Sequence, residues 1–382
     1  MQFASFPIIR THRAGWLVIF SQALCALALS SGCGSSSSPL ADNPPAGGAD
    51  AAQPEGGDEP SASDAPPDQA EADAGTVQDA AEEAVTTDAA DEPDAETPVA
   101  DPEQPGPYTY QESDFMAGTT GVHCALPQAG PASAPYPAVL FAHGFLIESF
   151  RYYSYVRHLA SFGYVACTVD YGSFQGQEQD PVTLSAALDW LLQQSAGSSG
   201  ELAGKVDASK LGVMGHSRGG KAAANAALQD ARFKALLGVD PVNTCPMGSC
   251  PDAIAAMPGL TIPSAFLGET TDGTSSGLGQ ACAPAADNFT QFFAKAPSPS
   301  ILVDVLGANH MSFVDDTTGC LQCGFCKPAT ADRTVVLGIA HAYTAAFFER
   351  YLRGLAGYDA YLTGATAQQR YVQTGLAALD AK

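Results

Sequence analysis

After residue 107, short apolar runs alternate with longer segments whose apolar residues recur at helical spacing. The runs predict β-strands and the longer segments predict α-helices. The predicted strands span residues 108–115, 119–126, 137–145 (ending in a turn), 163–170, 211–214, 235–239, 264–268 and 300–306. The predicted helices span residues 149–162, 182–194, 219–229, 287–293 and 334–352. This alternation indicates a mostly parallel sheet covered by helices on both faces.

One stretch joins a predicted strand to a predicted helix through a glycine-flanked serine. Gly215-His216-Ser217-Arg218-Gly219 fits the pattern G-x-S-x-G, in which a sharp turn exposes the serine hydroxyl. A Cβ at either glycine would crowd that turn, and the N–H groups at the start of the helix favour a developing oxyanion. The pattern therefore predicts Ser217 as a nucleophile in an α/β-hydrolase fold. An ordinary turn serine, or a hydrolase fold that has lost its activity, is the alternative.

The histidine of such a site follows both the serine and the acid along the chain. His310 comes just after the last predicted strand, in a loop from which an imidazole can reach the serine. His341 lies within an apolar helix, which favours a packed or surface side chain, and the other five histidines precede or adjoin the serine. His310 is therefore the predicted general base.

Two carboxylates compete for the role of the acid. Asp240 directly follows the strand after the serine helix and precedes a proline, which restricts the backbone. Asp272 lies in a loop of threonine and glycine after the next strand, which is the commoner position in this fold. Because the acid must hold the imidazole in one orientation, the better fixed Asp240 is favoured and Asp272 remains the alternative acid.

His143-Gly144-Phe145 is typical of a turn that supplies one N–H to an oxyanion, and a simple turn is the alternative. We expect the amides of Phe145 and Arg218 to be the two oxyanion donors. Four aromatic residues are candidates for lining an apolar pocket, with core packing as the better expectation for most of them: Phe145, Phe150, Tyr152 and Tyr171.

The first 33 residues resemble an export signal. A basic segment with Arg10 and Arg13 precedes a mostly apolar run over residues 14–29, which is short for a transmembrane helix. Small residues then precede Cys33, as in a bacterial lipobox. Cys33 is therefore the predicted lipidation site of a cell-envelope lipoprotein, and a plain cleaved secretory peptide is the alternative.

Residues 34–107 are rich in Ala, Asp, Glu, Pro, Gly and Ser, so they predict a disordered acidic linker before a catalytic domain at 108–382. Most of the net charge of −24 comes from this tract, because residues 41–105 hold 19 acidic and no basic residues. From residue 106 onward, 22 acidic residues face 15 basic ones. No basic patch suggests nucleic acid as a partner, and membrane contact is expected only through the lipid anchor.

Ten cysteines occur, of which one lies in the signal and one is Cys33. The other eight belong to an exported domain, where disulfides are expected. Cys245 and Cys250 can close a small loop after Asp240, and Cys282 is expected to pair with one of Cys320, Cys323 and Cys326. Those three have metal-like spacing but no clear fourth ligand, so no metal site is predicted. Cys167, in a central strand, is expected to be a buried free thiol.

From about residue 137 to 327 the sequence resembles the chlorophyllase group of α/β-hydrolases. The matching stretches are 141–145, 215–223 and 238–242, followed by Cys282-Ala-Pro284, Asn288, Phe292-Phe293, His310 and Asp315-Asp316. The resemblance implies a serine, an aspartate and a histidine at Ser217, Asp240 and His310. Cutinase-like and polyester-cleaving enzymes share this general layout.

These features together predict an exported serine hydrolase that cleaves a small-molecule or polymeric carboxylic ester without a cofactor. A cutinase, lipase, polyester hydrolase or peptidase on the same fold is an alternative within enzymes. A catalytically inactive lipoprotein that binds ligands at the cell surface is the alternative of another class. The order of serine, acid and histidine favours the enzyme over that binding protein.

Overall fold

The computed structural model describes residues 99–245, 250–275, 281–320 and 322–382. The predicted signal peptide, Cys33 and most of the predicted linker lie outside these residues. Within them, no helix is both long enough and apolar enough to cross a membrane.

Nine strands form one sheet in the described part of the chain. They are β1 (Thr109–Ala117), β2 (Thr120–Ala129), β3 (Tyr136–Ala142), β4 (Val165–Asp170), β5 (Val206–His216), β6 (Phe233–Val239), β7 (Ser264–Gly268), β8 (Ser300–Val305) and β9 (Ala377–Ala381). Their order across the sheet is β1-β2-β4-β3-β5-β6-β7-β8-β9. The pairs β1/β2, β2/β4 and β8/β9 are antiparallel, and the other pairs are parallel. The sheet therefore confirms the predicted α/β-hydrolase architecture.

Eight α-helical segments accompany the strands in the described residues. They are α1 (Tyr153–Ser161), α2 (Asp180–Ala196), α3 (Arg218–Gln229), α4 (Ala253–Ala256), α5 (Phe289–Lys295), α6 (Arg333–Leu352), α7 (Asp359–Leu362) and α8 (Ala365–Ala367). The predicted helix at 149–162 begins with a 3₁₀ turn, Ser149–Tyr152, before α1.

The sheet separates two apolar cores. Val139 and Phe141 of β3 point to the side covered by α1 and α6. Leu140 of the same strand points to the side covered by α2, α3 and α5. Because successive strand side chains point to opposite faces, a strand buried on both sides is apolar throughout. All seven residues of β3 are buried, as this rule requires.

The packed chain begins before the predicted domain boundary at residue 108. Val99 packs against the core on the α6 side. Both carboxylate oxygens of Asp101 accept hydrogen bonds from the Arg370 guanidinium at 2.8 Å. Tyr371 donates its hydroxyl hydrogen bond to Glu103 at 2.6 Å. Residues 99–107, which the composition assigned to the linker, therefore contact the domain through specific side chains.

All eight cysteines of the described residues form disulfides: Cys124–Cys167, Cys245–Cys250, Cys282–Cys326 and Cys320–Cys323. The expected Cys245–Cys250 pair and the pairing of Cys282 with one of the three later cysteines are confirmed. The prediction of a free thiol at Cys167 is wrong. Cys124 and Cys167 stand directly opposite each other on antiparallel β2 and β4, a register that the sequence alone does not reveal.

Candidate active site

Ser217 occupies the sharp turn between β5 and α3. Its backbone has φ 58° and ψ −126°, a conformation that L-residues rarely adopt. A Cβ at Gly215 would lie 2.4 Å from the Gly219 carbonyl oxygen, and one at Gly219 would lie 2.1 Å from the Ala142 carbonyl oxygen. Both glycines are therefore required by the close approach of neighbouring backbone. The Ser217 N–H donates to the Val239 carbonyl at 3.1 Å, which ties the turn to β6.

The structure brings Ser217, His310 and Asp240 together from three different loops. Nε2 of His310 lies 2.9 Å from Ser217 Oγ, and Nδ1 of His310 lies 2.6 Å from Asp240 Oδ2. With a proton on Nδ1, the imidazole donates to the carboxylate and accepts from the serine hydroxyl. Asp240 is fully buried and His310 is nearly so.

Asp272, the alternative acid, accepts hydrogen bonds from two backbone N–H groups. Its Oδ2 accepts from the backbone N–H of His310 at 2.9 Å, and its Oδ1 accepts from the backbone N–H of Lys327 at 2.8 Å. The structure thus places Asp240 on the imidazole and Asp272 on the backbone of the same histidine.

His216 binds the backbone carbonyl of His310. Its Nε2 donates to the His310 carbonyl at 3.0 Å, and its Nδ1 accepts from the Tyr152 hydroxyl at 2.8 Å. Tyr152 accepts in turn from the N–H of Gly144 at 3.3 Å. Burial, with a contribution from nearby His310, lowers the pKa of His216 well below its usual value, so the ring is neutral and can accept as well as donate. The sequence analysis gave His216 no role. Its position directly before Ser217 is the feature from which a role in the site could have been predicted.

Asp240 has two acidic neighbours, Glu269 and Asp272. Burial raises the pKa of Asp240, while the adjacent imidazole and a backbone hydrogen bond from Glu269 oppose that rise. Burial, and then the charge of Asp240, raises the pKa of Glu269 to about 9. Glu269 is therefore a neutral acid near pH 7, and its Oε2 accepts from the Asp272 N–H at 2.9 Å. Of the pair Asp240 and Glu269, only Asp240 therefore carries a negative charge beside the imidazole.

Phe145 and Arg218, whose amides are the predicted oxyanion donors, line the same pocket as Ser217. Within the described part of the chain, neither N–H forms a backbone hydrogen bond outside regular secondary structure. The Arg218 side chain points elsewhere, since its guanidinium grips the buried Asp180 carboxylate at 2.7 and 2.8 Å. Its amide is the first of α3, at the helix end where the dipole favours negative charge.

A pocket of about 750 Å³ opens beside Ser217. The residues that line it include Phe145, Gln177, Arg218, Thr244, Cys282 and Asp287. Of the four predicted aromatic residues, only Phe145 lines it. Phe150 is 52% exposed, while Tyr152 and Tyr171 are buried beneath the His143 turn, to whose backbone both hydroxyls bond. Core packing, the stated alternative, thus accounts for Tyr152 and Tyr171.

Two clusters among the described residues bring potential metal-ligand atoms within 4.8 Å of one another. The first is His216, Asp240 and His310, whose ring nitrogens already bond to a tyrosine, a carbonyl, a carboxylate and a serine. The second is Asp272 with Cys282 and Cys326, whose sulfurs form a disulfide. In both clusters the ligand atoms are engaged in protein bonds.

A family model described as chlorophyllase matches residues 119–368. The chain belongs to the chlorophyllase family. This membership confirms the resemblance seen in the sequence and agrees with the α/β-hydrolase fold. Every residue of the site described above falls within the family match.

Several curated chlorophyllases are similar to this family member. Chlorophyllase-2 of Arabidopsis thaliana is 29% identical over 203 residues, covering 48% of this chain and 62% of the relative. Chlorophyllase type 0 of Chenopodium album is 28% identical over 249 residues, covering 56% and 68%. An epoxide hydrolase of Caballeronia sordidicola is 32% identical over 130 residues, covering 33% and 36%. The chain thus spans about three fifths of the length of the Arabidopsis relative.

Proposed function

We propose that this chain is a serine hydrolase of carboxylic esters. The observation that carries the proposal is the continuous hydrogen-bonded chain from Ser217 through His310 to Asp240, beside a pocket large enough for a bulky ester. Membership of the chlorophyllase family, whose curated relatives are named as chlorophyllases, supports the same reaction class.

In the first half of the reaction, Ser217 Oγ attacks the ester carbonyl carbon as its proton passes to Nε2 of His310. The carbonyl oxygen becomes an oxyanion, which the N–H groups of Phe145 and Arg218 stabilise. Asp240 stabilises the imidazolium. The intermediate collapses when the bond to the alcohol breaks, and His310 gives its proton to the departing alcohol. An acyl-enzyme on Ser217 remains.

In the second half, water loses a proton to His310 and attacks the acyl carbon. A second oxyanion forms in the same place, collapses, and releases the carboxylic acid as His310 returns its proton to Ser217. The proton exchanged between Ser217 and His310 therefore crosses a contact of 2.9 Å. The protons exchanged with the alcohol and with water pass through the same Nε2 atom of His310. The backbone clamps from Asp272 and His216 keep His310 in place for both halves.

We also propose that the protein is exported and held at the cell envelope by a lipid on Cys33, with residues 34–98 as a spacer. The pairing of all eight cysteines in the described residues supports export, because disulfides persist in oxidising compartments. Cys33→Ser should release the protein from the membrane fraction of producing cells. A Cys33→Ser protein that stays in that fraction would rule out the lipid anchor.

The reaction is tested by a hydrolysis panel of short-chain esters, long-chain esters, polyester film, chlorophyll and a matched anilide. Wild type should hydrolyse esters, and Ser217→Ala should lower turnover by on the order of 10⁴-fold or more. Ser199→Ala, at an exposed turn serine, is the matched control and should behave as wild type. Ordinary turnover by folded Ser217→Ala contradicts the proposal, and a preference for the anilide would indicate a peptidase or amidase instead.

A further inference from the structure

Lys221 is a buried cation next to the proposed active site, one turn into α3. Its side chain is 2% exposed. Its ammonium donates to the side-chain oxygen of Gln177 at 3.1 Å and to the backbone oxygen of Asn243 at 2.9 Å. Gln177 lies in the loop between β4 and α2, and Asn243 lies in the loop that follows β6. The proposed reaction uses neither Lys221 nor Gln177.

The ammonium determines which way the Gln177 amide points. A lysine ammonium has three donors and no acceptor, so only the amide oxygen of Gln177 can face it. The NH₂ group of Gln177 then lies on the other side of the amide carbon, directed away from the ammonium. Gln177 lines the pocket that contains Ser217, and no side-chain hydrogen bond joins its Nε2 to another described residue. The amide thus has two donor hydrogens available to a molecule in the pocket.

The loop that carries Gln177 is held rigidly. Arg218 binds the Asp180 carboxylate with two hydrogen bonds, and its guanidinium also donates to the backbone oxygens of Ser173 and Gln175. These bonds attach the loop on both sides of Gln177 to the helix that begins at the serine turn. A donor fixed relative to the nucleophile in this way contributes specificity, because little ordering is needed when the substrate binds.

The charge of the pocket wall indicates which kind of substrate group can accept a hydrogen bond from Gln177. Asp287 lines the pocket, with one carboxylate oxygen accepting from the Thr244 hydroxyl at 2.9 Å. A carboxylate on the substrate would be repelled by Asp287, whereas a neutral carbonyl oxygen would not. The other charged residue of the wall, Arg218, is paired with Asp180, and Lys221 is not among the residues that line the pocket.

We propose that Gln177 is a specificity-determining residue whose NH₂ group donates to a second, neutral carbonyl oxygen of the substrate, separate from the ester carbonyl that Ser217 attacks. Lys221 is its positioning residue. The preferred substrates are therefore neutral esters that carry a further keto, ester or amide carbonyl. This inference rests on the proposed ester hydrolysis and names the substrate class of that site.

The test compares two neutral esters of the same alcohol and matched length, one with a keto group in the acyl chain and one with a methylene in its place. A second pair carries the extra carbonyl in the alcohol part, since either part of the ester could reach Gln177. Wild type should prefer one of the carbonyl-bearing esters in kcat/KM. Gln177→Met should remove about tenfold of that preference, as expected for one lost hydrogen bond, with a larger loss of kcat/KM on the carbonyl-bearing ester than on the methylene ester.

Lys221→Met should reduce the preference for the carbonyl-bearing ester, because the side-chain amide of Gln177 can then rotate. Gln177→Glu, which replaces the donor by an acceptor, should abolish the preference. Thermal melts establish that each variant is folded, and Gln177→Met keeps the test decisive if Lys221→Met does not fold. Equal losses on both esters of each pair, or no loss on any, would overturn the proposal.

Ser217→Ala separates this inference from the reaction itself. If Ser217→Ala abolishes hydrolysis of all four esters while Gln177→Met leaves every ratio unchanged, ester hydrolysis stands and the role of Gln177 fails. If Ser217→Ala retains normal turnover, the proposed reaction fails whatever the ratios show.

Discussion

Asp272 accepts a hydrogen bond from the backbone N–H of His310 at 2.9 Å, whereas the imidazole nitrogens of His310 bond to Asp240 and Ser217. A carboxylate on the backbone fixes where the histidine lies. A carboxylate on Nδ1, which is the position of Asp240, fixes the tautomer and balances the imidazolium charge. The two aspartates therefore affect the same histidine by different physical routes, and substitutions should separate them.

Asp240→Asn should lower kcat on a short-chain ester by on the order of 10⁴-fold, because the amide favours the wrong imidazole tautomer. Asp272→Asn should cost about tenfold, since the amide keeps one acceptor oxygen for two backbone donors. Both variants should be folded in thermal melts. If Asp272→Asn is the more impaired variant, the assignment of Asp240 as the acid is wrong.

His216→Phe should remove the hydrogen bond to the His310 carbonyl while keeping a buried ring. We expect kcat to fall about tenfold with little change in KM, because the substrate pocket does not include His216 and a misplaced base affects the chemical step. Tyr152→Phe, which removes only the hydroxyl that fixes the His216 tautomer, is the matched control and should cost less. A large rise in KM with normal kcat would mean that His216 contacts substrate.

Glu269 should make the folding stability depend on pH. Its pKa of about 9 in the folded chain lies above the ordinary value of 4.5, so the folded state holds a proton that the unfolded state releases between those values. Stability associated with this group is thus complete below about pH 4.5 and is lost as pH rises toward 9, with a slope of at most about 1.4 kcal/mol per pH unit.

Glu269→Gln removes this titration and keeps an acceptor for the Asp272 N–H. Between pH 5.5 and 8.5, the free energy of unfolding should fall by at least about 1 kcal/mol more in wild type than in Glu269→Gln. Asp380→Asn, at an exposed carboxylate in β9, should leave the wild-type slope unchanged. Parallel pH profiles for wild type and Glu269→Gln would show that Glu269 is ionised in the folded chain.

Two truncations should distinguish the spacer from the packed segment that follows it. A chain that starts at Val99 should match the full-length protein in ester kinetics and melting temperature. A chain that starts at Tyr108 loses the bonds of Asp101 and Glu103 to Arg370 and Tyr371. It should melt about 2–6 °C lower with similar kcat at 25 °C. Identical melting of the two chains would show that residues 99–107 contribute nothing.

The serine turn was predictable from five consecutive residues, because Gly215 and Gly219 indicate that the backbone passes too close to its neighbours for a Cβ. The proline that follows Asp240 favoured it over Asp272, and Asp240 is the carboxylate that lies on Nδ1 of His310 in the structure. Partnerships between distant residues were not predictable. Tyr152 and His216 are 64 positions apart, and the roles of both depend on β3 and β5 being neighbours in the sheet.

The features that the sequence did not predict also depend on partners that are distant along the chain. β9 contains only five residues, mostly alanine, and it forms because the edge of β8 offers an antiparallel partner. Cys167 looked like a buried apolar residue until the register of β2 and β4 placed Cys124 opposite it. The acidic composition of residues 99–107 concealed two carboxylates that pair with residues about 270 positions away.

The central claim, that Ser217 is the nucleophile activated by His310, is tested most directly by covalent labelling. The full chain is incubated with an alkyl p-nitrophenyl phosphonate, and the modified peptide is identified by mass spectrometry. We expect one adduct per chain on Ser217, loss of ester hydrolysis in proportion to labelling, no adduct in Ser217→Ala and much slower labelling in His310→Ala. An adduct on another residue, or full hydrolysis by a chain completely labelled at Ser217, would contradict it.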